Sequence, residues 1–103
     1  MKIDTDARAD ETLITVGGDV DLYSSPELRK ALLAATPKAV SGVGVHLGAV
    51  TYMDSSGVAT LVEGLRSAKE YDRTFVLVAP SKSVMKVLEL ARLDSVFEVR
   101  PAS

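Results

Sequence analysis

Asp54-Ser55-Ser56-Gly57 sets two hydroxyls beside a carboxylate near the middle of the chain. An apolar, β-prone run ends just before it, and apolar residues at helical spacing follow it. At a strand–helix junction these residue types have two uses. Asp and Ser oxygens accept the orphan backbone N–H groups of a helix start, and Gly57 eases the turn. The same helix start also presents free N–H groups and the positive end of a dipole. A serine placed there tolerates a phosphoryl group, which adds about −1.5 to −2 charges. One tetrapeptide can serve as both cap and switch.

Other chemistries fit less well. A hydrolase elbow would read G-x-S-x-G, and this junction does not. His46 is the only histidine. It lies in the apolar run VHLG, where a packed residue is a better reading than a base serving Ser55. Gly42-Val43-Gly44 leads into a strand rather than a helix, so it lacks the context of a dinucleotide loop. Asp19, Asp21 and Asp54 would gather if two strand ends lay side by side. Without metal-ligand spacing they read as solvated carboxylates, and no metal is expected. Glu63, Arg66, Lys69 and Glu70, and then Lys82, Lys86 and Arg92, decorate helical stripes with no interleaved aromatics. They read as solvated faces, and no nucleic acid is expected as a partner.

The elements that must position the junction follow from periodicity. Residues 2–5 read as a short edge strand and 7–11 as a polar turn. Residues 12–16 alternate and form a strand, which Gly17 and Gly18 interrupt with a bulge or a close backbone approach. In SSPELRKALLAA, Ser24 and Glu27 have capping-box spacing and Pro26 suits the first turn. Leu28, Ala31, Leu32 and Ala35 share a face, and Pro37 marks the end of that helix. Residues 43–50 form a buried strand. Val58, Leu61, Val62 and Leu65 define a helix after Gly57. Residues 73–79 form a second buried strand. A last helix carries Val84, Val87, Leu88 and Ala91, and residues 96–99 close the chain as a strand. The order β-β-α-β-α-β-α-β predicts an α/β sheet with crossover helices. The serine pair then falls at the carboxyl end of a central strand, where sites in open α/β sheets tend to lie.

The totals agree with one domain over residues 1–103. A chain with 47% hydrophobic and 25% charged residues is ordinarily globular. A net charge of −2 gives no general attraction to polyanions. With no cysteine there is neither a disulfide framework nor a thiolate zinc site. No apolar run reaches membrane-spanning length, and the first twelve residues lack the apolar core of a signal peptide. The expectation is a cytoplasmic protein without a cofactor and without direct membrane insertion.

Three stretches together resemble the STAS domain family: GDVDLYSSPELRKAL, VTYMDSSGVATLVEGLRSAK and FVLVAPSKSVMKVLELARLDSVFEV. They are most similar to the bacterial anti-sigma-factor antagonists. The resemblance covers residues 11–99 and centres on an aromatic followed by Met-Asp-Ser-Ser-Gly. It implies a single STAS-type α/β domain, with a mixed sheet of four to five strands and helices packed mainly on one face. It implies no catalysis. It implies that Ser55 is phosphorylated by a partner that is both anti-sigma factor and GHKL-type serine kinase. The unphosphorylated protein then binds that partner and frees a sigma factor, and a PP2C-type phosphatase resets the phosphorylated one. Asp21, Tyr23, Asp54, Ser55, Ser56 and Gly57 are the implied contact set. His46, Gly48-Ala49 and Tyr71-Asp72-Arg73 depart from the usual family residues. They bring in a second implied role, an accessory subunit bound to the ATPase of an ABC-type (Mla-like) lipid transporter.

Overall fold

The computed structural model describes residues 1–101. The elements are β1 (Lys2–Ala7), β2 (Thr12–Val20), α1 (Ser25–Ala35), β3 (Gly42–Met53), α2 (Ser55–Glu70), β4 (Thr74–Val78), α3 (Lys82–Leu90) and β5 (Glu98–Arg100). They form one five-stranded sheet in the order β1-β2-β3-β4-β5. β1 is antiparallel to β2, and every later neighbour is parallel. The alternation of strands and helices predicts the α/β sheet, and its mixed character is the one that the resemblance implies.

The helices share one face. α1 packs on α2 and α2 on α3, which helices separated by a sheet could not do. The reason is topological. Each crossover moves one strand further in the same direction, and a fixed crossover hand returns every helix to the same side. Ile14 and Val16 of β2, Val45 and Leu47 of β3, and Phe75 and Leu77 of β4 point into this layer. Leu28 and Leu32 of α1, Leu61 of α2, and Val84 and Leu88 of α3 meet them. Fully burying each such Leu or Val contributes roughly 1.5–3 kcal/mol. Gly64 lets α2 settle onto the sheet: a Cβ there would lie 2.9 Å from the Phe75 ring and 3.0 Å from Leu32.

The opposite face carries no helix. Val76 is nonetheless buried there. Arg100 reaches back over the sheet to Glu11, with its two terminal nitrogens 3.3 and 3.1 Å from the two carboxylate oxygens. Gly44 leaves the room, since a Cβ there would meet Glu11 Oε1 at 2.8 Å.

Several boundaries differ from the sequence reading. β1 runs to Ala7, and β2 passes through the glycines to Val20. The pairing does shift beside Gly17 and Gly18, and Gly18 has φ +84°, but the extra residues sit on β3. Two β3 residues oppose one β2 residue at the first shift, and Thr51 is the unmatched residue at the second. Such bulges bend the strand carrying them. β3 extends to Met53, three residues past the expected end. Its ladder with β4 stops at His46↔Val78, while its ladder with β2 continues to Val20↔Met53. The carboxyl half of β3 therefore stands out beyond β4. The last strand begins only at Glu98 because Phe97 turns into the core.

Candidate functional site

The overhanging end of β3 carries the serine pair. Asp54 is extended (φ −104°, ψ −173°) and caps α2, so both serines and Gly57 lie inside the helix rather than before it. The Asp54 carboxylate accepts from the N–H groups of Ser56 at 2.9 Å and Gly57 at 3.3 Å. The Ser56 hydroxyl donates to the same oxygen. These bonds, the Ser56 hydroxyl first, hold the Asp54 carboxyl below the usual carboxylate range, with a further contribution from the Leu22 N–H; partial burial works against them. Ser56 is thus half-buried and engaged, whereas Ser55, the first residue of α2, is exposed.

Gly57 is buried. It does not serve a turn of unusual φ, contrary to the easing role expected of it. A Cβ there would lie 2.6 Å from Met53 Cγ and 3.0 Å from Val20 Cγ1. Its part in the site is to let the first turn of α2 sit on the ends of β2 and β3. That close approach lay outside sequence reasoning, because it depends on which strands are neighbours.

The β2–α1 loop lies alongside. Val20 and Met53 are paired, so the residues that follow them, Asp21 and Asp54, begin adjacent loops. The Asp54 N–H donates to the Val20 carbonyl at 3.1 Å. Asp21 does for its loop what Asp54 does for α2: its carboxylate accepts from the N–H groups of Tyr23 and Ser24, both at 3.0 Å. The capping box predicted from Ser24 and Glu27 is not formed. Ser24 is already helical (φ −97°, ψ −25°) and its side chain makes no cap bond to α1. Its hydroxyl instead accepts from the Asp21 N–H at 2.9 Å and faces the Asp19 carbonyl and the Asp21 carboxylate, each at 3.1 Å. The Ser25 N–H donates to the Asp21 carbonyl at 2.8 Å, so the chain starts to coil at Asp21; Pro26 has no N–H and the Glu27 N–H donates to the Ser24 carbonyl at 3.1 Å, which leaves the Ser24 side chain no orphan N–H to cap.

This bracing pushes the loop tip into solvent. Leu22 is 67% exposed and Tyr23 91%. Tyr52, on the overhang, is 51% exposed. Leu22 and Tyr52 escaped the sequence-derived contact set. The one signal for Leu22 was an apolar residue between two polar capping positions. Asp19 is exposed and accepts from the Thr51 hydroxyl at 2.7 Å. Among the described residues, no group of three His, Cys, Asp or Glu side chains is placed to hold a metal ion, so Asp19, Asp21 and Asp54 do not assemble as ligands.

His46 lies seven residues before Met53 on β3, roughly 20 Å along the strand. Its Nδ1 accepts from the Gly48 N–H at 3.3 Å, a local strand contact. The Ser55–His46 pairing of a hydrolase is therefore not assembled.

A family described as "Mlab, STAS domain" matches residues 3–100. An anti-sigma-B factor antagonist of Staphylococcus epidermidis is 27% identical over 99 residues, covering 96% of this chain and 92% of the relative. The crystal structure of an anti-sigma factor antagonist from Mycobacterium paratuberculosis superposes with a TM-score of 0.86 at 21% identity, covering 98% of this chain and 86% of the other. The Bacillus cell fate determinant SpoIIAA in its phosphorylated form gives a TM-score of 0.77 at 20% identity, covering 99% and 92%. At such identities the two structures establish the fold.

Proposed function

This chain belongs to the STAS domain family, and from that premise we propose that it is an anti-sigma-factor antagonist: a regulatory binding protein, not an enzyme, switched at Ser55. The relative from Staphylococcus carries that role in its name along nearly the whole shared length. The observation that carries the switch is the unequal treatment of the two serines. Ser56 is tied to Asp54, while Ser55 stands exposed at the first position of α2.

The physics of the switch is local. Unmodified, the surface around Ser55 combines exposed apolar side chains at Leu22, Tyr23 and Tyr52 with the carboxylates of Asp21 and Asp54. A docked anti-sigma factor covers it and releases a sigma factor. A phosphoryl group on Ser55 brings a near-dianion beside the ionised Asp54, and docking would have to desolvate both. Each 1.4 kcal/mol of lost binding is about tenfold in affinity, so a few kcal/mol empties the complex. The anti-sigma factor is the GHKL-type serine kinase that writes the mark, and a PP2C-type phosphatase removes it. No refolding is needed, because the change is read by the partner. Gly57 contributes by positioning the helix start rather than by contact. No observation favours the transporter-subunit reading.

The test is phosphoryl transfer from ATP by a GHKL-type serine kinase of the same cell to wild type and to Ser55→Ala. Labelling is expected in wild type and absent in the variant. Equal labelling of both would reject Ser55 as the site.

A further inference from the structure

Beyond the loop tip, the overhang of β3 borders an apolar groove that shares Tyr52 with the Ser55 surface and extends past it along α3. α3 packs against β3 and not chiefly against β4, because the β4 ladder has already ended at His46↔Val78. The Ser81 N–H donates to the Leu47 carbonyl at 3.2 Å, which anchors the start of α3 to the overhang. Val84 and Leu88 face the core. The next stripe of the helix, Ser83, Lys86, Val87 and Leu90, faces Tyr52 and Met53 across a groove of about 340 Å³. Leu90 is 76% exposed, so burial in the fold does not account for it.

Two features point to an occupant. First, the groove is continuous with the Ser55 surface: Met53 lines its floor and is followed directly by Asp54 and Ser55. Second, the charge changes sign along the surface. Asp19, Asp21 and Asp54 lie on the loop side, while Lys82 and Lys86 stand one turn apart on α3 and are exposed. Among the described residues the ion pairs are Arg8–Asp6, Arg29–Glu63 and Arg100–Glu11, so neither lysine has an internal partner.

We infer that the Tyr52–α3 groove is a second docking half-site for the same protein that docks at Ser55, taking an amphipathic segment of it with an apolar side chain between Tyr52 and Leu90 and a carboxylate against Lys86. The inference rests on the proposed function and names the chemistry of the partner. A partner held there is oriented over Ser55 from the side opposite Tyr23. Bonds of this kind lie away from the phosphorylated oxygen, so they set the affinity and orientation of both the kinase encounter and the antagonist complex.

The probe is the purified GHKL-type serine kinase that phosphorylates the wild-type chain at Ser55. Its Kd without ATP, and kcat/KM for phosphoryl transfer, are measured for wild type, Leu90→Gln, Lys86→Glu and two controls that do not line the groove, Val40→Gln and Val96→Gln. All four side chains are exposed, and retained melting temperature shows that each variant is folded. The expected result is at least a tenfold rise in Kd for Leu90→Gln and about fivefold for Lys86→Glu, with matching losses in kcat/KM and unchanged controls. Binding by wild type with unchanged Kd in both groove variants overturns the half-site and leaves the Ser55 reading standing. A wild-type self-association that Leu90→Gln abolishes, without a change in kinase Kd, also overturns it in favour of a second copy of this chain. Failure of any such kinase to bind or label the wild type removes the Ser55 reading, and this inference with it.

Discussion

The backbone N–H of Asp54 donates to the carbonyl of Val20 at 3.1 Å. This one bond ties the start of α2 to the end of the neighbouring strand. It sets the Asp54 cap beside the loop that Asp21 braces, so the presentation of Ser55 depends on two loops at once.

The fit beneath that bond predicts the behaviour of Gly57→Ala. Alanine is the better helix former by about 1 kcal/mol. Its methyl, however, would stand 2.6 Å from Met53 Cγ and 3.0 Å from Val20 Cγ1. Overpacking of this kind costs about 1–3 kcal/mol. The expected outcome is a net loss of stability, read as a lower urea midpoint at constant m-value. A gain would show that Met53 moves aside freely.

Asp54→Ala removes the cap and should cost about 1 kcal/mol at neutral pH. The pH dependence has a definite sign. The folded-state pKa of Asp54 is lowered, by the Ser56 hydroxyl first. Its contribution is therefore fully present above the unfolded value of about 3.9 and is lost as the pH falls through the lower folded value. The stability gap between wild type and variant, measured by denaturant titration, should be constant from pH 5 to 7 and narrow at acid pH. A gap independent of pH down to acid unfolding would contradict the charged cap.

Ser55→Asp should weaken partner binding at least tenfold while leaving the melting temperature nearly unchanged. One extra negative charge in the first turn of a helix is favourable by a few tenths of a kcal/mol to about 1 kcal/mol. The position is exposed, so no packing is lost. Calorimetry on the variant, with and without partner, separates the two effects. A large drop in melting temperature would mean that the residue matters to the fold itself.

Arg100→Gln should leave stability nearly unchanged, although its bridge to Glu11 crosses the sheet. Arg100 is about half exposed, and such ion pairs are weak and screened by salt. Chemical denaturation at low and high ionic strength checks this. A marked loss at both ionic strengths would mean that the arm chiefly shields Val76 from water.

The resemblance carried by GDVDLYSSPELRKAL and by Met-Asp-Ser-Ser-Gly led to the family and to Ser55, and apolar patterning together with cap, proline and glycine signals led to all eight elements in order. Boundaries were less legible. The 12-residue β3 reads as shorter because its bulges break the alternation that marks a strand. Ser24 has the local spacing of a capping residue but not the role: Pro26 has no N–H, the Glu27 N–H donates to the Ser24 carbonyl, and the Asp21 carboxylate takes the Ser24 N–H that Glu27 would have bonded.

What the sequence determined by itself was local: which segments coil or extend, and which residue types could cap or accept a phosphoryl group. These follow from a chain's own period and propensity. The tertiary structure decided what depends on neighbours. It put Val20 beside Met53, made Gly57 a contact point, engaged Ser56 while exposing Ser55, and left the end of β3 flanked by α3 instead of β4. Such relations join residues far apart in the chain, and only the register and order of the strands bring them within reach.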